Sequence, residues 1–372
     1  MTEPARPLVT VVATWLPTPA HPVMGSFVER DIAALASVAD VRVVHLCRPN
    51  LLEGAARHDF IATPSGPVKV LRLPFNPARP WKWLGSLRQL KAALAGADVV
   101  HTMAISAVLP FVFMSPGAKW VHTEHWSKFA EEPVGANQYI FASAAMLFER
   151  VDTIAAVSPF LAQKLDSSLG HKAVVVPNIV DVPAPRERVA VGPTGRPNGT
   201  LRVVSVGGLI ERKRPLLAVE TVAELRKRGI DASLTWFGDG ELRGPAEVRA
   251  KELSVPLEVT GFVPHAEVRQ RYGDFDLFLG TTSFETFYLG AAEALASGRP
   301  VVCGGEGGHK LFVKPPHGIV VEGADPRDFA DAVVEVLANC EGMTEAEIGA
   351  DLRQEYSAAA LAKAYLRVYR SS

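Results

Sequence analysis

Short runs of β-branched and other apolar residues recur along the chain, and most are separated by stretches with helical spacing. The first half carries them at Leu8 to Thr14, Val41 to Leu46, Val68 to Leu73, Val99 to Thr102, Trp120 to Thr123, Thr153 to Ala156 and Ala173 to Val176, with an amphipathic helix expected over Val28 to Ser37. Continuous apolar runs, rather than strict alternation, mark strands buried on both faces, so the pattern predicts a parallel sheet covered by helices. From Val182 to Thr200 the periodicity stops and proline, glycine and charge take over, which reads as a linker over 183–199. The alternation then restarts. Strands are expected at Leu201–Val206, Ala232–Phe237, Leu257–Thr260, Leu277–Gly280 and Pro300–Cys303, and helices at Pro215–Arg228, Ala246–Leu253 and Gly290–Ser297. A last helix is expected from Ser357 to Tyr369.

The 372 residues are too many for one ordinary core. The expectation is an α/β protein of two doubly wound, Rossmann-like domains, 1–182 and 200–356, facing each other across a cleft. In such sheets ligands sit at the carboxyl ends of strands, beside helix N-termini. The loops after strands are therefore where chemistry is sought.

The densest of these is Ser283-Phe284-Glu285-Thr286-Phe287-Tyr288-Leu289-Gly290-Ala291-Ala292-Glu293, which follows a strand and opens a helix. Free N–H groups at Phe287, Tyr288 and Leu289 suit a diphosphate. Glu285 and Glu293 suit neutral hydroxyls, although as residue types they equally fit a helix-start charge and a surface acid. Upstream, Glu211-Arg212-Lys213-Arg214 follows Gly207-Gly208, and by itself it equally fits a solvated charged loop. Neither Gly207-Gly208 nor Gly238-Asp239-Gly240 continues into a dinucleotide fingerprint. Asp274-Phe275-Asp276 has the spacing of a metal-binding pair and directly precedes a strand, so by spacing alone a metal ligand and a structural aspartate both stay open.

The run SFETFYLGAAEALASGRPVV resembles the E-x7-E signature of family-4 glycosyltransferases of the GT-B fold. VVSVGGLIERKRP, FGDGE, GFV, AAVSPFLAQKL, VVVPNIVD and GSFVERDIAAL resemble further family segments in family order, so the likeness covers nearly the whole chain. It implies a retaining, metal-independent transfer of a sugar from a nucleoside diphosphate to an acceptor. The N-terminal domain would take the acceptor and the C-terminal domain the donor, with the 357–372 helix packing back on the N-terminal domain. By the resemblance, Glu285 binds a hydroxyl of the donor sugar, Glu293 the ribose hydroxyls, and Lys213 the diphosphate. His125, in the loop after Trp120–Thr123, matches the histidine near donor and acceptor; His122 reads as structural and Glu124 as a spare candidate. Gly25 and Ser26 would close on the diphosphate from the other domain, the missing side chain of Gly25 permitting approach. Two positions depart from the pattern. Gly208 stands where many relatives have arginine, for which Arg212 or Arg214 is the candidate substitute, and Tyr288 stands where many have glycine. Another GT-B enzyme, such as a sugar-nucleotide epimerase, or a noncatalytic sugar-nucleotide-binding protein, is the alternative reading.

Composition adds four points. A net charge of −1 gives no pull toward nucleic acid. Cys47, Cys303 and Cys340 form no disulfide framework or zinc cluster, so no metal and no cofactor beyond the co-substrate is expected, in a reducing cytoplasm. No signal peptide and no bilayer-spanning run is read. From Phe60 to Ala97 the chain has six Lys or Arg and no acid, with Trp81, Trp83 and Leu84, Leu87, Leu90 and Leu94 at helical spacing. That segment fits either peripheral contact with the inner face of a membrane, and hence a lipid-linked glycan acceptor, or a core-facing helix with a solvated basic face and a small metabolite as acceptor.

Overall fold

The structure is a computed structural model that describes residues 5–21, 24–76, 84–130, 142, 145–185 and 199–371. The chain divides into two compact units, Met1–Ile179 with Ala358–Ser372, and Val180–Ser357.

The first unit runs β1 (Leu8–Ala13), α1 (Ser26–Leu35), β2 (Asp40–Cys47), β3 (His58–Ile61), β4 (Val68–Pro74), α2 (Leu84–Leu94), β5 (Val99–Met103), β6 (Lys119–Glu124), β7 (Thr153–Ala156), α3 (Pro159–Leu169) and β8 (Val174–Val175). Its sheet has the order β3-β4-β2-β1-β5-β6-β7-β8. The described pairings are parallel except at the edge, where β3 runs antiparallel to β4. The apolar pattern predicts no strand there. Only a short turn, held by the Thr63 hydroxyl donating to the Gly66 carbonyl, joins the two, and a parallel pairing needs a crossover of about a dozen residues or more.

Beyond residue 357 the chain forms a helix, Ala358–Arg370, that belongs to the first unit and packs against α1. Leu361, Ala362, Tyr365 and Tyr369 enter the same core as Val9, Val11, Ile32 and Val121. Each large side chain so buried contributes about 1.5–3 kcal/mol. Polar contacts fix its register: Tyr365 Oη lies 2.8 Å from Thr123 Oγ1, and Tyr369 Oη 2.8 Å from His101 Nδ1. Burial pushes His101 down to about 3, so its ring is neutral in this network.

The second unit runs β9 (Leu201–Val206), α4 (Pro215–Lys227), β10 (Ala232–Phe237), α5 (Arg243–Glu252), β11 (Leu257–Gly261), α6 (His265–Arg271), β12 (Leu277–Gly280), β13 (Phe284–Glu285), α7 (Leu289–Ala296), β14 (Val301–Gly304), β15 (Glu306–Gly307), β16 (Gly318–Val321), α8 (Pro326–Asn339) and α9 (Glu345–Glu355). The final helix, Ala358–Arg370, is therefore α10. Six parallel strands form the sheet β11-β10-β9-β12-β14-β16, and β13 pairs with β15 beside it.

The first unit ends at Ile179, just before the expected boundary at 182. The reason is local. Val180 N–H donates to the Tyr356 carbonyl, and Arg269 Nη1 donates to the carbonyl and carboxylate of Asp181, which draws these residues into the second unit. Of the expected linker, 186–198 lies outside the described residues.

Strand order reverses at β1/β5 in one unit and at β9/β12 in the other. These are the switch points at whose carboxyl ends doubly wound sheets hold ligands.

Candidate functional site

At the second unit's switch point, β9 is followed by Gly207 and the chain makes a 3-10 turn over Glu211–Lys213 before α4. The turn is pinned to the end of β12. Ser283 N–H donates to the Arg212 carbonyl (2.8 Å), and the Thr281 hydroxyl to the Lys213 carbonyl (3.0 Å). Glu285 comes from β13, which pairs with β15 so closely that a side chain at Gly307 would collide with the Glu285 backbone.

The sequence-distant charges therefore meet. Lys213 Nζ is 2.5 Å and Arg212 Nη1 2.8 Å from Glu285 Oε1, and Thr282 Oγ1 is 3.2 Å from the same oxygen. Lys213 and Glu285 are both buried. Burial works against an ionised Glu285, but Lys213 and Arg212 hold it below the usual carboxylate range. Burial likewise lowers Lys213, opposed by Glu285. A carboxylate and two cations at the carboxyl ends of β9 and β12 can bind a polyol hydroxyl and a polyanion side by side.

Arg214 does not join this group; its guanidinium donates to the Gly323 carbonyl at 3.3 Å. Of the two candidates for the missing arginine, only Arg212 stands beside Lys213. A Cβ at Gly208 would make only ordinary contacts, 3.5 Å to Ile210, so nothing steric requires glycine there. Gly207 is different: at φ 130 its Cβ would stand 3.0 Å from Lys213 Cε.

Tyr288, with φ 73, caps the start of α7, and its ring turns inward against Phe278, leaving Leu289 as the first helical residue. Phe287 is core, its ring near Phe312 and Tyr356. Glu293, one turn into α7, is buried, and its Oε2 accepts from His265 Nε2 at 3.0 Å. No motif singles out His265, since only the packing of α6 near α7 brings it to Glu293. His309 is a second residue that sequence reading passes over. It is fully buried, its ring edge-on to Tyr288, and the Gly305 backbone approaches without meeting hydrogen-bond geometry at either nitrogen. Burial pushes it down to about 4.

Asp276 is not available to a metal. Its carboxylate accepts Arg202 N–H at 2.9 Å and the Arg202 guanidinium at 3.2 Å. Among the described residues no group of three His, Cys, Asp or Glu side chains could hold an ion.

In the first unit β6 delivers His122, Glu124 and then His125. His122 is buried between Thr102 (3.0 Å) and Glu124 (3.3 Å). Glu124 is fully buried, and its Oε1 accepts the N–H groups of both His125 and Trp126 at 2.8 Å. That role is local, shaping the turn that presents His125. The His125 ring packs on Phe27 (centroids 4.8 Å), which follows Ser26 at the entrance to α1. Burial pushes it down to about 4, against the pull of Glu124. Asn178 approaches the ring outside hydrogen-bond geometry. Gly25 has a stronger reason to be glycine than open access: at φ 72 a Cβ would overlap the Trp15 carbonyl.

At this unit's switch point the Thr14 and Ser106 hydroxyls meet at 2.5 Å, in the wall of a cavity of about 430 Å³ shared with Trp15, Arg48, Asn50 and Phe75.

In α2, Leu90 and Leu94 are buried while Arg88 and Lys91 are exposed. The later part of the apolar stripe, Leu90 and Leu94, therefore faces inward, and Leu87 is half-buried. Arg72 of the same segment is spent internally, on Asp59 and His45. Trp81, Lys82 and Trp83 lie outside the described residues. No helix among the described residues is long and apolar enough to cross a membrane.

Comparison with known proteins gives two family matches: Glycosyltransferase Family 4 over residues 28–183 and Glycosyl transferases group 1 over residues 200–339. A GDP-mannose-dependent alpha-(1-6)-phosphatidylinositol dimannoside mannosyltransferase of Mycobacterium tuberculosis is 32% identical over 156 residues, 41% of this chain and 40% of that protein. A 2-deoxystreptamine glucosyltransferase of Streptomyces kanamyceticus is 31% identical over 176 residues, 45% of this chain and 43% of that protein. The chain thus spans about two fifths of the length of the curated relatives it matches. Among solved structures, sucrose-phosphate synthase from Thermosynechococcus elongatus superposes with TM-score 0.73 at 19% identity, over 98% of both chains. Anabaena HepE in complex with UDP and glucose superposes with TM-score 0.70 at 14% identity, over 97% of this chain and 98% of that one. At these identities the likeness speaks for the fold.

Proposed function

Since the chain belongs to the group 1, family 4 glycosyltransferases, we propose that it transfers a sugar from a nucleoside diphosphate to an acceptor hydroxyl, with retention at the anomeric carbon and without a catalytic metal. The observation that carries this reading is the Lys213–Glu285 contact with Arg212 beside it, at the carboxyl ends of β9 and β12. Glu285 takes a hydroxyl of the donor sugar. Lys213 and Arg212 take the diphosphate, together with the N–H groups at the start of α7, Arg212 standing in for the arginine absent at Gly208. Glu293 takes the ribose hydroxyls. Among the described residues no carboxylate is assigned to nucleophilic attack, and in this reading the acceptor oxygen bonds to the anomeric carbon on the face from which the diphosphate departs. The acceptor proton passes to the departing phosphate oxygen, giving a glycoside and a nucleoside diphosphate. Charge grows on that phosphate in the transition state, where Lys213 and Arg212 stabilise it most.

In the first unit we assign the acceptor to the cavity at Thr14 and Ser106, and keep His125 as the residue that hydrogen-bonds a sugar or acceptor hydroxyl. Relatives named for phosphatidylinositol dimannoside and for 2-deoxystreptamine bracket the choice between a lipid-linked and a small polyol acceptor. Because Leu90 and Leu94 are buried, the described part of α2 offers a membrane surface its exposed cations, Arg88 and Lys91, rather than these leucines. The three free, buried cysteines fit a reducing compartment.

The test is a thermal-shift screen of UDP, GDP and ADP and their sugars. Ligand at about 100 times its dissociation constant adds roughly 2.7 kcal/mol. The responding donor is then incubated with anionic vesicles containing phosphatidylinositol and with soluble cyclitols, and the glycoside's anomeric configuration is read by NMR. A donor that binds and yields a glycoside with its own configuration supports the reading. Absence of any nucleotide response, or an inverted product, overturns it.

A further inference from the structure

Resting on the assignment of Lys213 to the diphosphate, we propose that Tyr288 is a positioning residue whose ring holds the Lys213 ammonium in place, and that Gly280 exists to make room for that ring. Tyr288 sits at φ 73, ψ 65, a left-handed conformation that tyrosine rarely adopts and that its surroundings must sustain. Its side chain does not lie over the α7 amides. It goes inward, 6% exposed, edge-on to Phe278 at 5.6 Å and to His309 at 6.0 Å. Lys213 Nζ lies 4.0 Å from the ring centroid, well inside the range of a cation–π contact.

Gly280, the last residue of β12, supplies the independent observation. Its backbone is not in the left-handed region, so no dihedral demands glycine. A Cβ there would lie 2.6 Å from both Tyr288 Cε1 and Tyr288 Oη. The tyrosine ring and a side chain at 280 exclude each other. With Gly207 on its stem, the ring on its ammonium and Glu285 at 2.5 Å, Lys213 is confined before any ligand arrives. The ring competes for none of its N–H donors. When Glu285 is shared with a sugar hydroxyl, the ring still holds the ammonium where the diphosphate needs it.

The experiment compares Tyr288→Phe, Tyr288→Leu and Gly280→Ala with wild type, by two readouts. The first is the 13Cε titration of Lys213 in lysine-labelled protein without ligand, its signal assigned with Lys213→Arg. The aromatic face stabilises the ammonium, so Tyr288→Leu lowers the Lys213 titration midpoint by about one pH unit while Tyr288→Phe leaves it in place. The second is calorimetric affinity for UDP and GDP against uridine and guanosine. Tyr288→Leu weakens the diphosphate that binds by about tenfold and leaves the nucleoside unchanged, and Tyr288→Phe restores it. Gly280→Ala behaves as Tyr288→Leu, and melting temperatures confirm that each variant is folded. If Lys213 titrates alike in wild type and Tyr288→Leu, or if Tyr288→Phe fails as Tyr288→Leu does, the ring is only packing and the proposal falls. If the midpoint moves but wild type binds neither diphosphate, the positioning of Lys213 stands and its assignment to a diphosphate falls.

Discussion

His265 Nε2 donates to Glu293 Oε2 across 3.0 Å, joining the first residue of α6 to the buried carboxylate of α7. A carboxylate that must meet two vicinal hydroxyls gains from having one oxygen fixed in advance. His265→Ala should weaken nucleotide binding by about threefold to tenfold, the value of one hydrogen bond to a charged group, and leave turnover at saturating donor nearly unchanged. Calorimetry with the nucleoside diphosphate and a KM-against-kcat comparison check this. A loss confined to kcat would move His265 out of the nucleotide site.

Lys213→Ala and Glu285→Gln remove the two halves of the 2.5 Å contact. Each should lower transfer by about 10–100-fold or more, with the folded state retained. Rates and melting temperatures measured on the same preparations separate lost chemistry from lost fold. Full activity in either variant would strike that residue from the mechanism.

Asp31 lies on the buried face of α1, in the core shared with Tyr365 and Tyr369, and burial pushes its carboxyl up to about 7. The folded value exceeds the unfolded one near 3.9, so folding favours the protonated form. The associated stability is complete below about pH 4 and is lost as pH rises through 7. Asp31→Asn should therefore raise the melting temperature at pH 8, by an amount corresponding to roughly 3–4 kcal/mol at most, with the gain vanishing toward pH 4. A pH-independent difference would contradict the assignment.

Asp276 serves Arg202, whose backbone and guanidinium it accepts. Transfer should persist after exhaustive chelation, and Asp276→Asn should cost about 1–3 kcal/mol of stability without making the remaining activity respond to magnesium or manganese. Activity that is abolished by chelator and restored by either ion would refute metal independence.

Much of this architecture was legible in the chain. The strands Leu201–Val206, Ala232–Phe237, Thr153–Ala156 and Leu277–Gly280 coincide with apolar runs because a doubly covered parallel strand has no polar face to disguise it. The helix α8 was also signalled, by Asp325 capping it and Pro326 opening it, yet periodicity alone passed it over. β3 was not legible, since its pattern is set by an edge with one open side. At the site, charge and spacing single out Lys213 and Glu285. They do not reveal that both bind each other, that Glu293 takes His265, or that the Tyr288 ring turns toward Gly280, because each depends on a neighbour dozens of residues away or on a space between strands.

The α10 helix gives the first unit a core in two instalments. Residues 5–179 place Val9, Ile32 and Val121, but Leu361, Tyr365 and Tyr369 arrive only after the whole second unit has been made. On the ribosome, then, the first sheet must wait with the α1 side of its core uncovered while some 180 residues fold behind it. A chain halted before residue 358 would hold a finished second unit and an unfinished first, with His101 and Thr123 lacking the tyrosine hydroxyls that satisfy them. Quality control acting on such a truncated product would meet a sticky first unit rather than half an enzyme.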